Sequence, residues 1–94
     1  MKKITCFYLK NCPYCVRAKK ALSELIEENP AYGTVTIDWI EESEHPEIVE
    51  KYSYNYVPCM FIGNEKHYEA TPRESYEKCI SSVKYVLDIA LENS

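Results

Sequence analysis

Residues 3–26 read KITCFYLKNCPYCVRAKKALSELI, and a change of period inside this stretch decides the fold. Lys3 to Leu9 is short and rich in β-branched and aromatic residues, the signature of a buried strand. Pro13 breaks the pattern. From Cys15 onward the apolar positions Cys15, Ala18, Leu22, Leu25 and Ile26 recur every three or four residues, with Arg17, Lys19, Lys20 and Glu24 between them. That spacing predicts an amphipathic helix. Asn29, Pro30 and Gly33 end it, and Thr34 to Ile40 (TVTIDWI) reads as a second strand, completing a strand–helix–strand unit.

Further along, Glu42 to Tyr52 predicts a short acidic helix with Pro46 near its first turn and Ile48 and Val49 as its core contacts. Val57 to Ile62 (VPCMFI) and Lys66 to Glu69 (KHYE) flank Gly63-Asn64, which supplies the positive φ of a tight II′ hairpin. Thr71-Pro72-Arg73-Glu74 predicts the start of the last helix: Thr71 as cap, Pro72 at the first helical position and Glu74 closing a capping box. The stripe Tyr76, Ile80, Val83, Leu87, Ala90 and Leu91 carries that helix almost to the C-terminus. The expected class is α/β, with order βαβαββα, a mixed four-stranded sheet and helices on both faces.

The 94 residues suit one compact domain over 1–94, and an apolar fraction of 46% is ordinary for a globular chain. No window approaches the ~18 uninterrupted apolar residues of a membrane helix. The run from Ile4 to Leu9 is interrupted by Thr5 and lacks a small-residue cleavage site, so a cytoplasmic protein with no membrane partner is expected. Five cysteines, an odd number, also suit a reducing compartment better than a paired extracellular framework. The net charge is −4 and unevenly spread: residues 1–20 carry six Lys or Arg and no acid, residues 21–50 nine Asp or Glu and no Lys or Arg. No basic stripe continues beyond the first block, which argues against a nucleic-acid partner.

The cysteine pair lies in the basic block, where strand gives way to helix. Asn11-Cys12-Pro13-Tyr14-Cys15 places Cys12 at the N-cap and Cys15 at the third helical position. Free N–H groups of the first turn and the positive end of the helix dipole favour a sulfur anion at the cap, helped by nearby Lys10, Arg17 and Lys19. Cys12 is therefore the expected nucleophile. One turn on, Cys15 is expected to point inward, within reach of a disulfide whose α-carbons are roughly 5.5 Å apart; it is the expected resolving thiol. The competing reading is half of a structural zinc site completed by His45, His67 or Cys59. Zinc knuckles usually come as two pairs, often with Gly after the second Cys, whereas here Val16 follows and a long helix begins.

Cys12-Pro13-Tyr14-Cys15 resembles the dithiol glutaredoxin active site, and the order of elements, with Val57-Pro58 opening the third strand, resembles the thioredoxin superfamily across nearly the full chain. The resemblance implies a disulfide oxidoreductase acting on protein disulfides or glutathione mixed disulfides. It implies a cis Pro58 against the thiol pair, Val57 as a backbone contact to substrate, and Lys10, Tyr14 and Thr71 as further contacts. No bound cofactor or metal is implied; glutathione enters as co-substrate, with glutathione or a flavoprotein reductase as electron donor and a monomer as the working unit. The alternative within the resemblance is an iron–sulfur carrier.

Three departures from the family pattern stand out. Glu69-Ala70-Thr71-Pro72 replaces the Gly-Gly-acid run that holds the γ-glutamyl group of glutathione, and Pro72 lacks an N–H. Lys10 lies two residues before Cys12, a spacing closer to thioredoxins. Cys6 stands where thioredoxins often bury an acid as proton relay, and is expected as core packing. Cys59 and Cys79 are expected in the core, His45 and His67 at the surface, and the tyrosines of Tyr52-Ser53-Tyr54-Asn55-Tyr56 in packing.

Overall fold

The computed structural model describes residues 2–92. Strand β1 (Ile4–Tyr8) leads into helix α1 (Pro13–Glu28), strand β2 (Ile37–Glu41), a single helical turn α2 (Pro46–Val49), strands β3 (Cys59–Ile62) and β4 (Glu65–Glu69), and helix α3 (Tyr76–Glu92). The sheet order is β2-β1-β3-β4. β1 runs parallel to β2, with Ile4 opposite Ile37 and Tyr8 opposite Glu41, and antiparallel to β3, with Cys6 opposite Met60. This is the mixed four-stranded α/β sheet expected from the order of elements.

β1 is central, and Ile4 to Phe7 are all buried because both faces of the sheet are covered. On one face Ile4, Cys6, Met60 and Ile62 pack against Ala18, Ala21 and Leu25 of α1 and Val83, Val86 and Leu87 of α3. On the other, Phe7, Ile40, Cys59 and Phe61 meet Ile48 and Val49 of α2 and the tyrosine segment. Phe7 stacks on Tyr54 at 4.9 Å and meets Tyr52 edge-on at 4.9 Å, so two of the three alternating tyrosines are packing residues, as expected. The exception is Tyr56, 51% exposed.

Residues Gly63 and Asn64 join β3 to β4, with Gly63 at φ +60°, the conformation a hairpin of this type demands at its first central residue. Three boundaries differ from the sequence expectation. The first is the start of the second strand: Pro30–Thr34 is a 3₁₀ turn, and β2 begins at Ile37. Asn29 Oδ1 accepts from Ala31 N at 3.2 Å and Thr34 Oγ1 donates to the Ala31 carbonyl at 2.7 Å, local bonds that hold a turn against the strand propensity of TVTI. The acidic helix, second, shrinks to the one turn of α2, since its few apolar side chains cover little of the sheet.

The third difference lies beside the candidate site. Helix α3 begins at Tyr76, not after Thr71. Glu74, 7% exposed, accepts from Thr71 N at 3.0 Å as a capping-box acid would, but its second oxygen takes the Tyr68 hydroxyl of β4 and Arg73 adopts φ +66°. The result is a closed turn in place of a helical one. Ser75 is the working cap: its Oγ accepts from Lys78 N at 3.1 Å.

Candidate active site

Asn11 at φ +62° turns the chain from β1 into α1, a left-handed conformation that Asn tolerates better than most residues. Cys12 then sits extended at the N-cap (φ −91°, ψ 117°), Pro13 occupies the first helical position, and Val16 N closes the first turn on the Cys12 carbonyl at 3.0 Å. Cys12 Sγ accepts from Cys15 N at 3.4 Å. Half-buried Cys12 thus faces solvent with an amide donor behind it, while Cys15 is only 3% exposed. Burial, then a hydrogen bond to Cys12, pushes the Cys15 thiol up to about 12, so it remains protonated at neutral pH.

The expected contact residues divide between two cavities. Tyr14, Val57 and Thr71 come together around one of about 250 Å³, joined by Tyr56 and Arg73. The Val57–Pro58 bond is cis, Pro58 is buried, and its carbonyl accepts from Ala70 N at 3.0 Å. Lys10 does not join that group. It lines a second cavity, of about 460 Å³, with Leu9, Asn11, Cys15 and Lys19, and its ammonium pairs with Glu44 at 2.8 Å.

Two bonds tie the start of α1 to the turn before α3. Arg73 N donates to the Tyr14 hydroxyl at 2.7 Å, which leaves Tyr14 half-buried, and Arg17 Nη2 donates to the Glu74 carbonyl at 3.0 Å with its guanidinium 5.3 Å over the Tyr14 ring. Arg17 and Lys10 are therefore engaged away from the cysteines. Glu69 performs a similar service for the segment before Pro58: its carboxylate accepts from Asn55 N, from Tyr56 N at 2.8 Å and from Lys66 Nζ at 2.7 Å. Burial alone would raise its pKa, but these three donors outweigh burial and hold it below the usual range.

The remaining thiols are core residues. Cys6 and Cys59 are fully buried and Cys79 nearly so. Burial pushes all three up, Cys59 to about 12. His45 lies beside Glu47 at 3.4 Å and His67 against the Tyr85 ring, both partly exposed. Among the described residues no three His, Cys, Asp or Glu side chains are grouped to hold a metal ion, and none of the described helices is long and apolar enough to cross a membrane.

The glutaredoxin family pattern matches residues 4–67 of the 94, from β1 through the thiol pair and the cis proline into β4. The chain belongs to the glutaredoxin family. A thioredoxin of Methanocaldococcus jannaschii is 27% identical over 82 residues, which are 87% of this chain and 92% of that protein. Among solved structures, thioredoxin 1 of Thermosipho africanus superposes with a TM-score of 0.57 at 18% identity, covering 95% of this chain and 98% of its own. Oxidized glutaredoxin 2 of Chlamydomonas reinhardtii gives 0.51 at 20% identity, covering 98% and 81%. Human ERp44 in its zinc-bound form gives 0.54 at 16% identity, and the chain spans 26% of that protein's length. The fold is thioredoxin-like, as the element order implied.

The sequence reading ranked Tyr56 as packing, overlooked Arg73, and saw Glu69 only as part of the run that replaces the Gly-Gly-acid motif. An acid fourteen residues from Asn55 in sequence offers no local sign that it will take the amides of that segment.

Proposed function

We propose that this chain is a thiol–disulfide oxidoreductase that reduces disulfides through a Cys12/Cys15 dithiol cycle. The observation that carries the reading is the inequality of the two sulfurs: Cys12 is accessible at the α1 N-terminus and accepts a backbone N–H, while Cys15 is buried, protonated and hydrogen-bonded to it. The Cys12 thiolate attacks one sulfur of a substrate disulfide, forming a mixed disulfide and expelling the first substrate thiolate. Cys15 then loses its proton and attacks Cys12 Sγ, releasing the second thiolate and leaving Cys12–Cys15 oxidised. Two electrons pass to the substrate, and an external reductant restores the dithiol.

Protein disulfides fit the site better than glutathione mixed disulfides, and a flavoprotein reductase fits better than glutathione as donor. The reason is the turn before α3: Thr71 N is spent on Glu74, Arg73 N on Tyr14, and Pro72 has none, so these amides are not free to anchor a glutathione carboxylate. Tyr14, Val57 and Thr71 line the expected substrate groove, and the cis bond to buried Pro58 follows Val57. The protein works as a monomer without a bound cofactor in this reading. Cys12→Ser is expected to abolish reduction of insulin disulfides, and retained activity would refute the assignment. A coupled assay run with glutathione plus glutathione reductase, and again with thioredoxin reductase, is expected to turn over faster in the second.

A further inference from the structure

We propose that Lys19 is a positioning residue for the second half of the exchange, holding a cation at the cavity that Cys15 helps to line, so that the Cys15 proton departs to solvent. The inference rests on the dithiol cycle above and concerns a step for which the site supplies no obvious base.

Cys15 must be deprotonated to attack, yet it is buried and resists ionisation. The neighbouring position on β1 is Cys6, itself fully buried and pushed up by burial and by Cys15, so it cannot accept the proton. The charged and titratable groups around Cys15 are few. On α1 they are Cys12 and Lys19; on β1 Cys6 and Tyr8; on the loop after it Lys10, which is paired with Glu44 and whose N–H is 3.4 Å from Glu41. Glu41 is in turn held by the Ser43 hydroxyl at 2.7 Å. Lys19 lies one helical turn beyond Cys15 on α1 and lines the same cavity, where its positive charge opposes the effect of burial on Cys15.

Lys19 is held where its charge counts. Its Nζ lies 4.5 Å from the Tyr8 ring centroid and 5.2 Å from that of Trp39, a pair of aromatic faces from adjacent strands that hold the ammonium over the sheet. Cys15, Leu9, Asn11 and Lys19 share the walls of the 460 Å³ cavity, which is open to water. In the resolving step the Cys15 S–H bond breaks with its proton passing to hydroxide or a buffer base in that cavity. The sulfur electron pair then forms the Cys15–Cys12 bond as the Cys12–substrate S–S bond breaks, and the substrate thiolate leaves. A fixed cation lowers the cost of the transient Cys15 anion without taking part in bond making.

Stopped-flow reaction of the reduced protein with uncharged 4,4′-dithiodipyridine separates the two steps, since one thiopyridone leaves on attack by Cys12 and a second on displacement by Cys15. In Lys19→Met the second phase is expected to slow about 3–10-fold at pH 7, more than the first, with its pH midpoint moved upward. Lys19→Arg is expected to restore both. In the unaltered protein, rising ionic strength is expected to slow the second phase more than the first, a measurement that stands even where the Met variant folds poorly. A second phase whose rate, pH midpoint and salt dependence ignore residue 19, or equal slowing of both phases, would overturn the proposal. Loss of the first phase on Cys12→Ser tests the dithiol cycle separately.

Discussion

Glu74→Ala is expected to be among the most destabilising single changes near the site. The carboxyl is buried and holds three donors, two from the turn and one from β4: Thr71 N at 3.0 Å, Thr71 Oγ1 at 3.4 Å and the Tyr68 hydroxyl. Truncation releases the Thr71 amide and leaves Tyr68, only 5% exposed, with a weak contact to Cys79 Sγ at 3.5 Å. A buried donor left without its partner costs about 1–3 kcal/mol; Thr71 is exposed and its amide can turn to water, so the loss is set mainly by the Tyr68 hydroxyl and comes to about 1–3 kcal/mol of the ~5–15 kcal/mol that holds a domain folded. In urea, with a slope of about 1–3 kcal/mol per molar, the midpoint is expected to fall by roughly 1 M at unchanged slope. Tyr68→Phe combined with Glu74→Ala is expected to lose less than the sum of the two singles, because each removes the same bond. A loss below about 0.5 kcal/mol for Glu74→Ala, or strict additivity with Tyr68→Phe, would refute this account of the turn.

Ser75→Ala is expected to cost about 0.5–2 kcal/mol by urea denaturation and Thr71→Ala under about 0.5 kcal/mol, because Ser75 caps α3 and Thr71 does not; the reverse ranking would restore the helix start read from the sequence. Stability of the reduced protein is expected to fall as pH rises above about 9. Burial raises Cys15 and Cys59 from 9.0 to about 12, so the folded state keeps protons that the unfolded chain gives up. Their contribution is intact below about pH 9 and is lost between about 9 and 12. Urea midpoints that hold steady or climb over that range would contradict it.

The parts of this fold carried by short-range chemistry were legible before any coordinates. Cys12 with Pro13 marks a helix start because a cap and a residue without an N–H belong there, and Gly63 marks the hairpin because its φ excludes most side chains. The thiol pair was readable for the same reason, since its chemistry depends on three residues of spacing and one helix terminus. What escaped depends on partners distant in sequence. Thr71-Pro72-Arg73-Glu74 satisfies every local rule for a capping box, and the hydroxyl of Tyr68 on a neighbouring strand turns its acid to a different use. Lys10, Arg17 and Lys19 looked equivalent as a basic cluster, yet Glu44, the Glu74 carbonyl and the Tyr8–Trp39 ring pair draw them in three directions. Glu69 reads as one residue of a departure from the family motif until the amides of Asn55 and Tyr56 are seen on it.

Residues 11–17, NCPYCVR, lie between Lys10 and Arg17 and leave trypsin as one peptide carrying both thiols. Brief treatment of the reduced protein with less than one equivalent of iodoacetamide at pH 7, followed by fragment-ion mapping of that peptide, asks directly which sulfur reacts. The account expects the label on Cys12, with Cys15 unmodified; equal labelling, or preference for Cys15, would contradict it.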